Sequence, residues 1–225
     1  MAALGARVAV QTLAFFIALT VLLFFAAGTF HYTDGWVFLG VLAVITIVIT
    51  AYLAKKDPDL LERRLAIAER GEQDPVQRRF QKLAALAFFG MLVVAGLDHR
   101  FAWSHAPTPW VIVGYALFVA GYAIVFVVFR ANTYTSAVVE VAEGQTVVSS
   151  GPYSIVRHPM YSGGLLIIAG APLALGSWVA LIFVVPLVAL IVSRLLNEER
   201  FLSDHLGGYR EYLDRTPYRL VPHVW

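Results

Sequence analysis

The chain has 225 residues, of which 59% are hydrophobic and only 14% are charged. A soluble domain of this length cannot bury so much apolar surface in one core, so the composition predicts a single membrane domain. The net charge of +2 is too small to indicate nucleic-acid binding, and a chain without cysteine has no disulfides, thiolate metal sites or cysteine nucleophile.

Apolar segments of near-bilayer length recur along the chain. A helix rises about 1.5 Å per residue, so roughly 20 residues cross the hydrocarbon. We therefore predict an all-α polytopic membrane protein with five to six transmembrane helices, and we expect the first run to remain as a span, because it is too long for a signal peptide. The last two runs are short and nearly adjacent, which predicts a C-terminal helical hairpin. The runs are 8–30, 36–54, 83–97, 110–129, 165–175 and 178–192.

The polar segment 55–82 is predicted to contain an amphipathic helix on the cytoplasmic face of the membrane. Asp57 is a good N-cap, Pro58 suits the first turn, and Gly71 is a stop signal. Its eight cations would hold anionic lipid headgroups, whether the helix is an anchor or a lid over a site. Apolar residues recur in it at near-helical spacing: Leu60, Leu61, Leu65 and Ile67.

The distribution of basic residues predicts the orientation. If the N-terminus is cytoplasmic, 16 of the 17 Lys and Arg residues lie on the inner side and only Arg100 lies outside. The outer loop around 98–105 is expected to hold interfacial anchors and caps. No Asp, Glu, Lys or Arg falls inside a predicted span, which disfavours an ion-coupled transporter and predicts function at the cytoplasmic boundary.

The first of two polar clusters at that boundary is GPYSIVRHPMYSG, residues 151–163. The residue before Pro159 is disfavoured in helical geometry, so we expect an extended backbone with free amide and carbonyl groups that could bind an adenine or a carboxylate. Gly163 and Gly164 would allow a close approach of the chain or a ligand. The alternative is a helix-start loop in which His158 has only a structural hydrogen bond.

The second cluster, RLLNEERFL, begins at Arg194. Arg194 and Glu198 are four residues apart and share one helix face. The arginine could hold a carboxylate and the glutamate an ammonium group, although an ordinary surface salt bridge would have the same spacing. The predicted hairpin would bring the two clusters together. The aromatic and basic tail from 209 onward is expected to anchor the chain or close the site.

Taken together, these motifs resemble the isoprenylcysteine carboxyl methyltransferase family, in its bacterial and archaeal form. The resemblance rests on GPYxxxRHPxYxG, then Arg194 followed by Glu198 and Glu199, then YxxYLxRTP, and it covers about residues 130–222. It implies an integral membrane enzyme that transfers a methyl group from S-adenosyl-L-methionine, bound at the cytoplasmic side, to a lipophilic acceptor.

The resemblance also implies roles for individual residues. Glu198 corresponds to the glutamate that holds the cofactor, and Arg194 to the arginine that positions the acceptor. The family's histidine at the start of the first cofactor segment is Gln145 here, and Glu140 stands near the place of a cofactor-binding glutamine. The cofactor-contacting positions that it implies are Gln145, Thr146, Val147, Val148, Tyr153, His158, Pro159, Met160, Tyr161 and Glu198.

These inferences predict a single domain, with N-terminal transmembrane helices over 1–130 and the catalytic region over 131–225. The expected partners are membrane lipids and a lipophilic small-molecule or prenylated substrate. No metal is expected, because the six histidines are dispersed. The short chain favours a prokaryotic inner membrane.

The chemistry of the acceptor remains open at the level of sequence. A carboxylate is already ionised near neutral pH and needs no general base, only desolvation and in-line placement. An amine or thiol would benefit from a base, for which His158, His205 and Glu199 are candidates. Three other functions fit the pattern less well: phospholipid N-methylation, a nicotinamide-dependent sterol-type reductase, and a non-catalytic membrane scaffold.

Overall fold

A computed structural model describes residues 2–70, 75–134 and 146–225. Every regular element within these ranges is helical, which confirms the predicted all-α class. Short 3₁₀ turns lie at Gly151–Ser154 and Val179–Phe183. The α-helices are α1 (Ala2–Ala27), α2 (Thr33–Lys56), α3 (Pro58–Arg70), α4 (Pro75–Phe101), α5 (Thr108–Ala131), α6 (Pro159–Ala174), α7 (Val184–His205) and α8 (Tyr209–Arg215).

Within the described part of the chain, five helical segments are long and apolar enough to cross a membrane, which supports an integral membrane protein. The sixth apolar helix, α6, has only 16 residues and is about 24 Å long. It nevertheless traverses the bundle, because the carbonyl oxygen of Leu175 at its end accepts a 2.6 Å bond from the Tyr32 hydroxyl. The five segments are Leu4–Ala27, Thr33–Lys56, Gln77–Phe101, Thr108–Ala131 and Val179–His205.

The C-terminal hairpin differs in detail from the prediction. Its second arm is not the short run 178–192, because α7 continues through the charged cluster to His205. Moreover, α6 makes its most extensive contact with α5 rather than with α7. Glycines cause this pairing: a Cβ atom on Gly121 would lie 2.5 Å from the Gly163 carbonyl oxygen, and one on Gly170 would lie 2.5 Å from that of Gly114. The two backbones are therefore in direct contact.

One end of the bundle collects the elements that carry both polar clusters, and we call it the site end. The starts of α1 and α6 meet the ends of α2 and α5 here. Leu53 and Phe129 are buried there, with Val8 and Met160 packed against them. The opposite end, the far end, carries four of the five tryptophans of the chain: Trp36, Trp103, Trp110 and Trp178.

Helix α3 packs its apolar side against the protein, whereas the sequence predicted a helix that lies on the membrane face. Leu60 and Leu61 are buried in the site-end cluster, so this helix packs on the protein itself. The predicted N-cap is confirmed, since the Asp57 carboxylate accepts a 3.0 Å bond from the Leu60 amide. The helix ends at Arg70. Gly71 and the side chain of Ile67 lie outside the described part of the chain.

At the far end, Asp98 is not a loop residue but lies in the last turn of α4, where it is buried. Its carboxylate accepts a 2.6 Å bond from the Ser104 amide and further bonds from the hydroxyls of Ser104 and Ser177. The carboxylate thus joins the α4–α5 loop to the turn after α6. This is the capping role that was expected for the outer loop.

Candidate functional site

The two polar clusters meet at the site end through Tyr161. Its hydroxyl donates a 2.5 Å hydrogen bond to Oε2 of Glu198 and accepts a 3.0 Å bond from Nε of Arg194. All three side chains are half-buried. Arg194 and Glu198 are therefore joined to the start of α6 rather than forming only an exposed pair on α7.

Glu199 is the most buried carboxylate of this region, with 7% of its surface exposed. Its Oε1 accepts a 3.1 Å bond from Arg157 and lies 3.3 Å from Nε2 of His158. Its Oε2 accepts a 2.9 Å bond from Nε of Arg219. A buried carboxylate normally requires such partners, because isolated burial of a charge is very costly. Glu199 thus connects α7, the loop before α6 and the C-terminal tail.

His158, the residue before Pro159, lies outside the helix as predicted, with φ −125° and ψ 62°, but the predicted extended backbone does not continue through Met160, because α6 begins at Pro159. Two of the amides in this segment are not free. The amide of Arg157 donates to the carbonyl of Tyr218 at 2.9 Å, and that of His158 donates to the carbonyl of Arg219 at 3.0 Å. The tail occupies these groups, so they are not available to an adenine or a carboxylate. The prediction of free amides is therefore wrong at these two positions, because a distant segment satisfies them.

A second set of predicted residues packs around α8. Val147 and Tyr153 lie against the buried side chains of Leu206, Tyr209 and Tyr212. The Tyr212 hydroxyl donates a 2.8 Å bond to the carbonyl of Tyr153. Burial raises the pKa of Tyr212 to about 12, so it keeps this proton at physiological pH. Helix α8 thereby fixes the turn Gly151–Ser154 at the start of the first cluster.

The predicted cofactor positions thus fall into separate surroundings. Tyr161 lies with Arg194 and Glu198, whereas His158 lies with Glu199. Pro159 is buried at the start of α6, and Met160 packs against the cluster that includes α3. Thr146 is exposed, and Val148 is half-buried. Gln145 and Glu140 lie outside the described residues.

The three candidate bases already have partners. His158 is 5% exposed and lies against Glu199, which itself has two arginine partners. His205 is exposed, and its Nδ1 lies 2.8 Å from the carbonyl oxygen of Phe201. His158 and Glu199 are held in a way that leaves them poorly placed to take a proton from an acceptor. The contact of His205 at Nδ1 leaves its other ring nitrogen, Nε2, able to accept a proton. The arrangement therefore disfavours two of the three candidate bases.

The sequence reasoning missed the central position of Glu199 and its contact with Arg219. One signal for burial was available: Glu199 stands in a helical stripe with Leu195, Leu202 and Leu206. A carboxylate in an apolar stripe requires a cation from elsewhere in the fold. Which arginine supplies it could not be read from α7, because Arg219 lies 20 residues away in a tail without regular structure.

One known protein family matches the part of the chain that carries both polar clusters. Residues 109–208 match the family model described as phospholipid methyltransferase. The match contains α6, α7 and both polar clusters, and it supports a membrane methyltransferase. It ends before the tail that carries Arg219.

Three curated proteins are similar to parts of the chain. The delta(14)-sterol reductase TM7SF2 of Mus musculus is 32% identical over 87 residues, 37% of this chain and 21% of that protein. The cobalt-zinc-cadmium resistance protein CzcN of Cupriavidus metallidurans is 39% identical over 80 residues, 33% and 35% of the two chains. A probable 7-dehydrocholesterol reductase of Acanthamoeba polyphaga mimivirus is 29% identical over 108 residues, 43% and 24%. The matched regions span between about a fifth and a third of these relatives.

Proposed function

We propose that this protein is an S-adenosyl-L-methionine-dependent methyltransferase that acts on a lipophilic acceptor at the membrane boundary. The observation that carries the proposal is the joining of Arg194 and Glu198 through Tyr161, within the region that matches the methyltransferase family model. A fixed cation and a fixed anion lie side by side at the site end. This pair suits a reaction between an anionic acceptor and a cationic methyl donor.

The residues present fit the methyl donor through Glu198. A carboxylate has about four acceptor positions, and the described contacts of Glu198 include one donor, the Tyr161 hydroxyl. It can therefore also accept bonds from the ammonium group of the cofactor, and the remaining predicted contacts would come from 145–148, Tyr153 and 158–161. When bound, the cofactor supplies a methyl group on a positively charged sulfur.

The most favoured acceptor is the carboxylate of an isoprenoid or prenylcysteine-like substrate. Arg194 can hold such a carboxylate in its planar fork, and Tyr161 keeps the guanidinium in place through its bond to Nε. Methyl esterification needs no base, which agrees with the engagement of His158 and Glu199. The carboxylate oxygen gains the methyl carbon, and the electrons of the broken carbon–sulfur bond remain on sulfur.

Phospholipid N-methylation is the second candidate, and the description of the matching family model favours it. The two acceptors can be separated by incubating purified protein with labelled cofactor and either an isoprenoid acid or phosphatidylethanolamine. Base-labile label on the acid supports ester formation. Base-stable label on the headgroup would instead establish N-methylation.

A nicotinamide-dependent reductase is the third candidate, suggested by the similarity to two proteins named as sterol reductases. The carboxylate of Glu198 argues against it, because a phosphorylated nicotinamide cofactor is strongly anionic. Calorimetric binding separates this candidate, because a reductase would bind reduced nicotinamide cofactor in place of S-adenosyl-L-methionine.

The first test is calorimetric binding of S-adenosyl-L-methionine to the detergent-purified protein. We expect micromolar-range binding that Glu198→Gln weakens by roughly 10- to 100-fold, the effect of losing a hydrogen bond to a charged group. The control is Glu211→Gln, which changes an exposed glutamate on α8. Absence of binding in a folded sample would reject the proposal and favour a reductase or a non-catalytic scaffold.

We also propose the side of the membrane on which the site lies. The site end carries most of the basic residues of the chain, which is typical of cytoplasmic loops. We therefore place the site at the cytoplasmic face of a prokaryotic cell membrane. Protease protection of a tag at either end of the chain in inverted vesicles would test this orientation.

A further inference from the structure

A groove runs between α1 and α2 on the side that faces the bilayer. It has a volume of about 460 Å³, within the range of small-molecule sites. Both helices are membrane-spanning candidates, so the groove lies at the depth of the hydrocarbon. Its lining residues are Gly5, Val8, Ala9, Thr12, Leu13, Phe16, Thr46, Ile47, Thr50, Ala51 and Ala54.

The wall of the groove is suited to hydrocarbon. Eight of its eleven lining residues are apolar or glycine, and the hydroxyl of Thr46 donates to the carbonyl oxygen of Leu42 at 2.8 Å. Leu13 and Ile47 are each 63% exposed, so the groove is open to lipid along its length. In a membrane, such an opening fills with an acyl or isoprenoid chain rather than with water.

Cations lie where the groove reaches the site end. Arg7 directly precedes the lining residue Val8, and Lys55 and Lys56 directly follow the lining residue Ala54. Both lysines are exposed at the end of α2. Arg7 lies 3.8 Å from Glu62, but 39% of its side chain remains exposed. A lipid whose chain occupies the groove would therefore place its phosphate among several positive charges.

We propose that this groove binds one acidic glycerophospholipid of the leaflet at the site end, with a hydrocarbon chain between α1 and α2 and the phosphate beside Arg7, Lys55 and Lys56. This inference does not depend on methyl transfer. It has a structural consequence, because Val8 also packs in the site-end cluster with Leu60 and Met160. An occupied groove would therefore stabilise the packing of α3 against Met160 at the start of α6.

The groove offers a matched pair of substitutions. A Cβ atom on Gly5 would have no neighbour within 4 Å, and the same is true of Gly40, a residue of α2 outside the groove. Gly5→Leu, combined with Ala51→Leu, would fill the groove without a collision at Gly5. Gly40→Leu adds a similar apolar group to the membrane surface and leaves the groove open.

The experiment is native mass spectrometry of the full chain in detergent, titrated with phosphatidylglycerol or with phosphatidylcholine. We expect one tightly bound phosphatidylglycerol and weaker phosphatidylcholine. The groove-filling variant should lose this lipid and its thermal stabilisation, whereas Gly40→Leu should retain both. Equal binding of the two lipids, or unchanged binding in the folded groove-filling variant, would overturn the proposal.

A charge variant keeps the proposal testable if the groove-filling variant does not fold. Lys55→Gln with Lys56→Gln should weaken phosphatidylglycerol binding by roughly 10- to 30-fold, from the contribution of two cations near a lipid surface. The control is Arg200→Gln with Arg215→Gln, which removes two exposed charges elsewhere. Equal effects of the two pairs would indicate general electrostatic attraction and reject the site.

Discussion

The hydroxyl of Tyr161 donates a 2.5 Å hydrogen bond to the carboxylate of Glu198, 37 residues later in the chain. The same oxygen accepts a 3.0 Å bond from Arg194. Tyr161 therefore bridges the candidate cofactor-holding anion and the candidate acceptor-holding cation, whose spacing is set by helix α7. Tyr161 lies on α6, whereas Arg194 and Glu198 both lie on α7. The arrangement is therefore tertiary and is fixed by the packing of α6 beside α7.

Removing this hydroxyl should impair both groups while leaving the fold intact. We expect Tyr161→Phe to weaken binding of S-adenosyl-L-methionine by roughly 10-fold and to lower the turnover of acceptor further, because both Glu198 and Arg194 lose an ordering contact. The measurement is calorimetric binding together with single-turnover kinetics. Tyr115→Phe is the control, since that hydroxyl bonds to a backbone oxygen at the far end. Normal binding and turnover in Tyr161→Phe would contradict this role.

Arg194→Lys should separate acceptor binding from cofactor binding. Lysine keeps the charge but lacks the planar fork, so the KM for a carboxylate acceptor should rise by roughly 10-fold or more while cofactor affinity stays within about twofold. The comparison is Arg200→Lys, an exposed residue of the same helix. If Arg194→Lys instead abolished cofactor binding with normal acceptor affinity, the roles assigned to Arg194 and Glu198 would have to be exchanged.

Glu199 should matter for stability more than for any single chemical step. Glu199→Gln leaves Arg157 and Arg219 without their shared buried anion, and breaking a buried pair in this way costs about 3 to 5 kcal/mol. Unfolding of the protein in detergent by heat or denaturant measures the change. Asp204→Asn breaks an exposed pair with Arg210 and should cost no more than about 1 kcal/mol. Equal costs would show that the buried cluster does not hold the tail.

The contact between α5 and α6 should tolerate no side chain at Gly121. Gly121→Ala places a Cβ atom 2.5 Å from the Gly163 carbonyl oxygen. We expect the free energy of unfolding to fall by about 1 to 3 kcal/mol. Gly40→Ala is the matched control, because its Cβ atom has open space and alanine is the better helix former. A melting temperature in Gly121→Ala at or above that of Gly40→Ala would mean that the two helices separate easily.

Much of the architecture followed from the sequence because hydropathy and helix length are local properties. The first four long spans and the N-cap at Asp57 could be predicted from neighbouring residues, as could the presence, though not the full extent, of the last span. Helix α3 could not be placed in this way. An amphipathic helix has the same pattern whether its leucines meet lipid or protein. Leu60 is buried because the fold brings α3 into one cluster with Leu53 of α2 and Phe129 of α5.

The same division holds for the site. The sequence by itself determined which side chains stand at the boundary, since Arg194 and Glu198 share a helix face and Tyr161 belongs to the other polar cluster. The tertiary structure alone decided that Tyr161 joins them and that Glu199, not Glu198, is the buried member of the acidic pair. It also decided that the tail occupies the amides of Arg157 and His158. These outcomes depend on contacts between residues 20 to 61 positions apart, which no local pattern encodes.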